Sequence, residues 1–176
     1  DSFTRTLRKQ GEPCALTGAD TTLEKMIMNP LEKGVLGSSG LEVTRIGLGC
    51  AALGGLYGDI PEEQAEAVVA QALALGLNLF DTAPLYGSGK SELRLGRALQ
   101  GGPRDSYVLC SKVGRVLEPT GGEEGGEDIF DKPPPFKPVF DFSYDGIMRS
   151  FEESLERLGV DRIDILHIHD PDDHYD

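Results

Sequence analysis

The chain has 176 residues, 39% hydrophobic and 27% charged, with a formal net charge of −13. That suits one globular domain with a sizeable core. So acidic a balance argues against nucleic acid or an anionic membrane as partner, since both select basic surfaces, and no apolar run reaches membrane-spanning length.

Much of the negative charge lies in Glu118–Asp131 and Asp170–Asp176 and reads as solvated surface. Cys14, Cys50 and Cys110 have no metal-ligand spacing. Cys50 and Cys110 sit in apolar contexts and are expected to be small core residues. A reducing compartment, by default the cytoplasm, follows as the expected location.

Asp1–Lys25 follow neither the helical nor the strand period, and Met26 and Met28 stand just before the first organised stretch. Residues 1–29 are expected to be a leader or disordered extension, with one folded domain over 30–176. A weaker targeting reading rests on the basic, hydroxyl-bearing run Ser2–Gln10. Leu31–Leu48 holds two short extended runs around Gly37-Ser38-Ser39-Gly40, a hairpin signal. Arg45–Gly49 reads as a short buried strand, followed by a flexible loop at Gly54-Gly55 and Gly58.

Pro61 suits the first position of a helix. Ala65, Val68, Val69, Ala72 and Leu73 form its apolar face, and Gly76 stops it. A buried strand, Leu77–Phe80, leads to Asp81. Ser88 or Ser91 is expected to cap a second helix with Leu95, Ala98 and Leu99 inward, ended by Gly101-Gly102-Pro103. Tyr107–Ser111 is the next strand and runs into Lys112. Gly114–Phe142 reads as a long mobile loop, rich in glycine and proline, with a lid over a site as the other reading. Ser143 caps a third helix with Ile147, Phe151, Leu155 and Leu158 inward, and Gly159 stops it. Ile163–Ile168 is a strand ending in His169, Asp170 and Pro171.

Strands alternating with helices predict an α/β fold with a parallel sheet and right-handed crossovers. No G-x-G-x-x-G follows a strand, and Gly47-x-Gly49 lacks the third glycine, so a Rossmann reading is weak.

Three consecutive strands end in an ionisable residue: Asp81, Lys112 and His169. Tyr86 follows the first. At the carboxyl rim of a parallel barrel these side chains can converge. An ammonium beside a phenol favours the phenolate. A carboxylate paired with the lysine keeps it charged, and a histidine can hydrogen-bond a carbonyl oxygen. Together they make a proton donor for a carbonyl, or a base for an alcohol, that needs hydride from a cofactor. Singly, each residue has an ordinary reading as turn, packing or surface. His167 and His169 are expected to face opposite ways, so that one of them points into a shared site. A zinc site at His167, His169 and His174 is the metal alternative, and no metal is expected.

FDTAPLYGSGKSE, LCSKVGR and SLERLGVDRIDILHIHDPDD, with the opening GVLGSSGLEVTRIGLG, resemble the aldo-keto reductase family from about Leu31 onward. VFDFSYDGIMRSFEESLERLGVDRIDILHIHDPDDH is similar to the branch of D-threo-aldose (L-fucose) 1-dehydrogenases, which includes galactose and pyridoxal dehydrogenases. The resemblance implies a TIM barrel and an oxidoreductase using NADP or NAD without metal. Its catalytic residues would be Asp81, Tyr86, Lys112 and His169. Asp81 would hold Lys112, Lys112 would favour the Tyr86 phenolate, Tyr86 would be the general acid or base, and His169 would orient the substrate oxygen, with His167 facing away, toward the helices. The cofactor contacts left to this chain would be Gly49, Cys50, Ala51 and Asp81. The substrate would be a small carbonyl compound or a sugar, in the sugar branch an aldose oxidised at C1 to a lactone.

A TIM barrel has eight strands over roughly 250 residues. The chain supplies about four βα units after a hairpin, so it reads as the N-terminal half of the barrel and a fragment of a longer oxidoreductase. Two other readings stand beside this one. One is a catalytically inactive half-barrel acting through the open edges of its first and fourth strands. The other is two copies that associate across those edges and rebuild a barrel with a workable site.

Overall fold

A computed structural model describes residues 29–122 and 129–174. Most of the expected leader and the EEGGED stretch, residues 123–128, lie outside the described residues. No described helix is long and apolar enough to cross a membrane.

The first two strands, β1 (Lys33–Val35) and β2 (Glu42–Thr44), form the expected antiparallel hairpin. Gly37 and Gly40 take the left-handed positions of its turn, at φ 54° and 76°, where a side chain would be strained. Asn78 ties the hairpin to the sheet. Its Oδ1 accepts from Thr44 N at 2.8 Å and its Nδ2 donates to Glu42 O at 2.8 Å.

Four parallel strands follow, in the order β3 (Leu48–Gly49), β4 (Leu79–Asp81), β5 (Val108–Val113) and β8 (Ile165–Ile168). β3 is shorter than the expected Arg45–Gly49. Arg45 N and Ile46 N donate instead to Glu32 O and Pro30 O, ahead of β1. β4 and β5 run one and two residues further than expected. Asp81 and Lys112 therefore sit inside the ladder, where the strand backbone fixes their direction.

Helices α1 (Glu62–Ala74), α2 (Lys90–Leu99) and α3 (Tyr144–Leu158) connect these strands on one side of the sheet. Gly76 closes α1 at φ 90°, with Gly76 N to Leu73 O and Leu77 N to Ala72 O, the two bonds of a Schellman stop. The Ser143 hydroxyl accepts from Gly146 N at 3.1 Å and caps α3, worth about 1 kcal/mol. Val68, expected on the buried face of α1, is exposed, whereas Ala65, Val69 and Ala72 are buried. The core joins Phe80 and Leu109 of the sheet to Val69, Leu95, Leu99 and Leu158 of the helices.

Two expectations fail here. Neither Ser88 nor Ser91 caps α2, because Gly89 occupies that position without a side-chain bond. Ser88 is held in the turn at φ 50°, and the Ser91 hydroxyl turns inward to Thr82 and Cys50. The stretch 114–142 is not simply a loop. It carries an antiparallel hairpin, β6 (Arg115–Pro119) and β7 (Phe136–Phe140), with Leu117 opposite Pro138. Val116 and Leu117 are buried. Pro138 is tolerated because β7 has one strand partner and an open edge.

Along the described sheet, β3 and β8 are the edges. On β8, Leu166 is 42% and Ile168 56% exposed. Ile147, Phe151 and Leu155 of α3, expected inward, are half-buried, while Gly146, Ser150, Ser154 and Leu158 form its buried stripe.

Candidate active site

Parallel register sets Gly49 beside Asp81, Asp81 beside Cys110, and Lys112 beside His167. Phe80 and Leu109 point to the helices, so Asp81, one residue after Phe80, and Lys112, three residues after Leu109, share the opposite face. The Lys112 ammonium donates to both oxygens of Asp81, at 3.0 and 2.8 Å, and to Thr82 O at 2.9 Å. Its side chain is 13% exposed, that of Asp81 37%. Burial pushes the Lys112 pKa down, but the hydrogen bonds and charges of Asp81 and Tyr86 outweigh it and leave the value above that of ordinary lysine. The ammonium is therefore fixed and charged.

Tyr86 reaches the same place from the turn after β4. Its ring centroid lies 4.7 Å from Lys112 Nζ and 6.0 Å from the His169 ring, edge to face. Phe130 packs on its other flank at 6.2 Å. Gly87, Ser88 and Gly89 are all left-handed, at φ 63°, 50° and 88°. This folds the chain back against the 3-10 turn Ala51–Gly54. A Cβ on Gly54 would meet the Tyr86 carbonyl at 2.6 Å. The glycines read as a flexible loop instead permit this close backbone contact. The turn is also laced to β3, with Ser91 Oγ donating to Cys50 O at 2.7 Å and lying 2.9 Å from Thr82 Oγ1.

His169 follows β8, held by its N–H to Val113 O at 2.9 Å. The ring is buried, and burial lowers its pKa to about 4. Asp170 and Asp81 pull it upward, while Arg115 and Lys112 push it down. The imidazole is thus neutral near pH 7. Its Nδ1 is buried and meets no hydrogen-bond partner among the described residues. His167 does not turn away as expected. Its Nδ1 lies 4.0 Å from Asp81 Oδ1, because residues two apart on a strand share a face.

Of the expected cofactor contacts, Gly49 and Asp81 border open space. A Cβ on Gly49 would meet nothing within 4 Å. Ala51 is half-buried in the 3-10 turn. Cys50 is different. Its side chain lies in the core, its N–H donates to Asp81 O at 2.8 Å, and Ser91 takes its carbonyl. Burial raises the Cys50 thiol to about 12 and the Cys110 thiol to about 11, with the Asp81 charge adding to both. Neither is a nucleophile at neutral pH.

Sequence reasoning missed the supports behind this rim. Glu92 of α2 is wholly buried, accepting from Ser111 Oγ at 2.8 Å and Arg157 Nε at 2.6 Å. The buried Arg94 donates to Leu53 O at 2.7 Å and Ile60 O at 2.8 Å, clamping the 51–60 loop to α2. The visible signal was the pair of charges Glu92 and Arg94 at inward positions of α2, on the face of Leu95, Ala98 and Leu99.

The aldo/keto reductase family model matches residues 45–176. A pyridoxal 4-dehydrogenase of Microbacterium luteolum is 40% identical over 82% of this chain and 45% of its own length. A D-threo-aldose 1-dehydrogenase of a Pseudomonas species is 42% identical, over 78% and 43%. An L-galactose dehydrogenase of Arabidopsis thaliana is 39% identical, over 81% and 39%. Among solved structures, an aldo-keto reductase from Bacillus halodurans in its holo form superposes with TM-score 0.61 at 34% identity, covering 81% of this chain and 43% of that one. One from Klebsiella pneumoniae in complex with NADPH gives 0.50 at 27%, covering 74% and 36%. The chain spans less than half the length of the curated relatives it matches, and its four parallel strands are the N-terminal half of their barrel. With the matched region running from β3 through the Asp81–Lys112 rim, the chain belongs to the aldo/keto reductase family.

Proposed function

We propose that this chain carries the proton-transfer half of an oxidoreductase. The reaction moves hydride between a nicotinamide cofactor, NADP or NAD, and a small aldehyde, ketone or aldose. The observation that carries the reading is the Lys112 ammonium, held by both oxygens of Asp81 and 4.7 Å from the Tyr86 ring. In the reducing direction Tyr86 gives its phenolic proton to the carbonyl oxygen. The phenolate left behind lies beside a fixed positive charge, which favours it. In the oxidising direction the phenolate takes the proton of the alcohol, and an aldose would leave as a lactone.

His169, neutral and buried, keeps one donor and one acceptor nitrogen. It orients the substrate oxygen without adding a charge that would compete with Lys112. The chemistry a nicotinamide cofactor supplies when bound is hydride donation or acceptance. The exposed edge of Asp81 and the open side of Gly49 fit a ligand ring at this rim. The sugar and pyridoxal dehydrogenases among the relatives favour a polyol or aldehyde substrate, and the neighbour solved with NADPH supports the cofactor class.

The test is Tyr86→Phe in the longest product of this reading frame. Turnover is expected to fall roughly 10²–10⁴-fold, with cofactor affinity by fluorescence titration unchanged. Unchanged turnover, or a loss accounted for by lost cofactor binding, would remove Tyr86 from the proton-transfer role.

A second reading is favoured by the exposed Leu166 and Ile168 on the edge strand β8. In it, the 176-residue chain is inactive and self-associates through its open edges. Sedimentation of that chain decides: oligomers support this reading, and a stable cooperative monomer removes it.

A further inference from the structure

Beside the Tyr86–Lys112 pair lies a second charged chain that the proposed reaction does not use. Arg115 opens β6, three residues after Lys112, and its side chain is 11% exposed. Its guanidinium carbon lies 4.0 Å from the Phe140 ring centroid. Phe140 is backed in turn by Phe142 and His174, at 5.6 and 4.2 Å between ring centroids. Arg115 Nη2 donates to Asp170 Oδ2 at 2.7 Å. That same oxygen is 3.7 Å from His169 Nε2. Asp170 sits at φ 46°, in the left-handed region that aspartate tolerates.

We propose that Arg115 is a positioning residue: by holding the Asp170 carboxylate, it weakens the pull of that carboxylate on a His169 proton and keeps the ring seated against Tyr86. A carboxylate left free next to an imidazole favours the imidazolium. Paired with a guanidinium fixed by an aromatic face, it loses much of that pull. The charged and titratable groups facing His169 are Asp170 from its own turn, Arg115 from β6, Lys112 from β5, Asp81 from β4, and the Tyr86 phenol. Burial and the two cations oppose protonation, and the two carboxylates favour it. Arg115 acts in both accounts, as a cation near the ring and as the partner of the stronger carboxylate. An uncharged ring keeps an acceptor nitrogen, which an imidazolium lacks. The catalytic meaning rests on the proposed role of His169, but the charge relationship does not.

The test is NMR titration of the three histidines in the folded 176-residue chain, with His169 identified by loss of its signal in His169→Gln. Arg115→Met is expected to raise the His169 midpoint by about one pH unit. Asp170→Asn removes the carboxylate and leaves Arg115 in place, so it is expected to lower the midpoint. An Arg115→Met midpoint equal to wild type, or a rise in Asp170→Asn, overturns the proposal. If Arg115→Met fails to fold, Arg115→Gln is read in its place by the same criterion. A chain with the expected shifts but no oxidoreductase activity would fail the proposed function and leave this inference standing.

Discussion

Arg157 Nε lies 2.6 Å from Oε2 of Glu92, a carboxylate with no solvent exposure, although 65 positions separate the two residues in the chain. The pair bolts α3 to α2 directly behind β5, where Ser111 Oγ supplies the second bond to Glu92 at 2.8 Å. Taking one partner away strands a charge in the core. Arg157→Met is expected to destabilise the fold by about 3–5 kcal/mol. The double variant Glu92→Gln, Arg157→Met should recover much of that loss, because the uncompensated charge is gone. Urea unfolding of both variants measures it, and equal losses in the two would show that the buried charge is not the cause.

Lys112 is expected to stabilise the fold over a defined pH range. Its folded-state pKa is raised above the ordinary lysine value of 10.5, despite burial, by Asp81 and Tyr86. A raised value stabilises below the unfolded pKa, and the gain is lost as pH rises through the folded value. Lys112→Met should therefore be less stable near neutrality, by about 1–2 kcal/mol after screening at the partly exposed Asp81. The gap between variant and wild type should narrow above pH 10.5. Thermal unfolding across that range reads the gap, and a gap that widens instead would contradict the assignment.

The rim was legible in the sequence because it follows local rules. Apolar runs of strand length stop at Asp81 and Lys112, and a strand direction plus a parallel sheet brings them to one edge. Ser143 and Gly159 were legible for the same reason, since caps and stops are local. Glu92–Arg157 and Arg115–Asp170 were not, as each joins residues from distant elements whose approach only packing determines. The β6–β7 hairpin was hidden by its own composition. Pro138 within β7 and the Gly-rich segment between the strands outweigh the short apolar runs Val116-Leu117 and Val139-Phe140. His167 was assigned the wrong face, where the two-residue strand period puts it on the same side as His169.

His169 makes the opposite contribution to Lys112. Its pKa falls from 6.5 to about 4 on folding, through burial first. A depressed histidine leaves stability intact above the unfolded value. Stability is then lost as pH drops, because the unfolded chain takes up the proton first. Wild type should lose stability between pH 6.5 and about 4 more steeply than His169→Gln. Comparing the two chains cancels the carboxylates, Asp59 and Asp164 among them, which also carry lowered values. Parallel curves in unfolding experiments over that window would show that His169 is not held neutral.

Gly87 tests whether the turn, and not the tyrosine alone, makes the site. It sits at φ 63°, and a Cβ there would overlap the backbone carbonyl of Gly54. Neither side of that contact is a flexible side chain, so one backbone must move. Gly87→Ala is expected to cost about 1–3 kcal/mol from overpacking, with further strain from the left-handed backbone. The adjoining residue is Tyr86, the proposed acid–base group, and a displacement of about 1 Å there can cost on the order of 100-fold in rate. A Gly87→Ala protein that folds should therefore lose turnover while Lys112 and Asp81 stay paired. Gly34→Ala is the control, since its Cβ would meet nothing within 4 Å. Activity assays beside unfolding curves separate the two effects. Full activity in a folded Gly87→Ala chain would mean that the Gly54–Gly87 contact does not set the position of Tyr86.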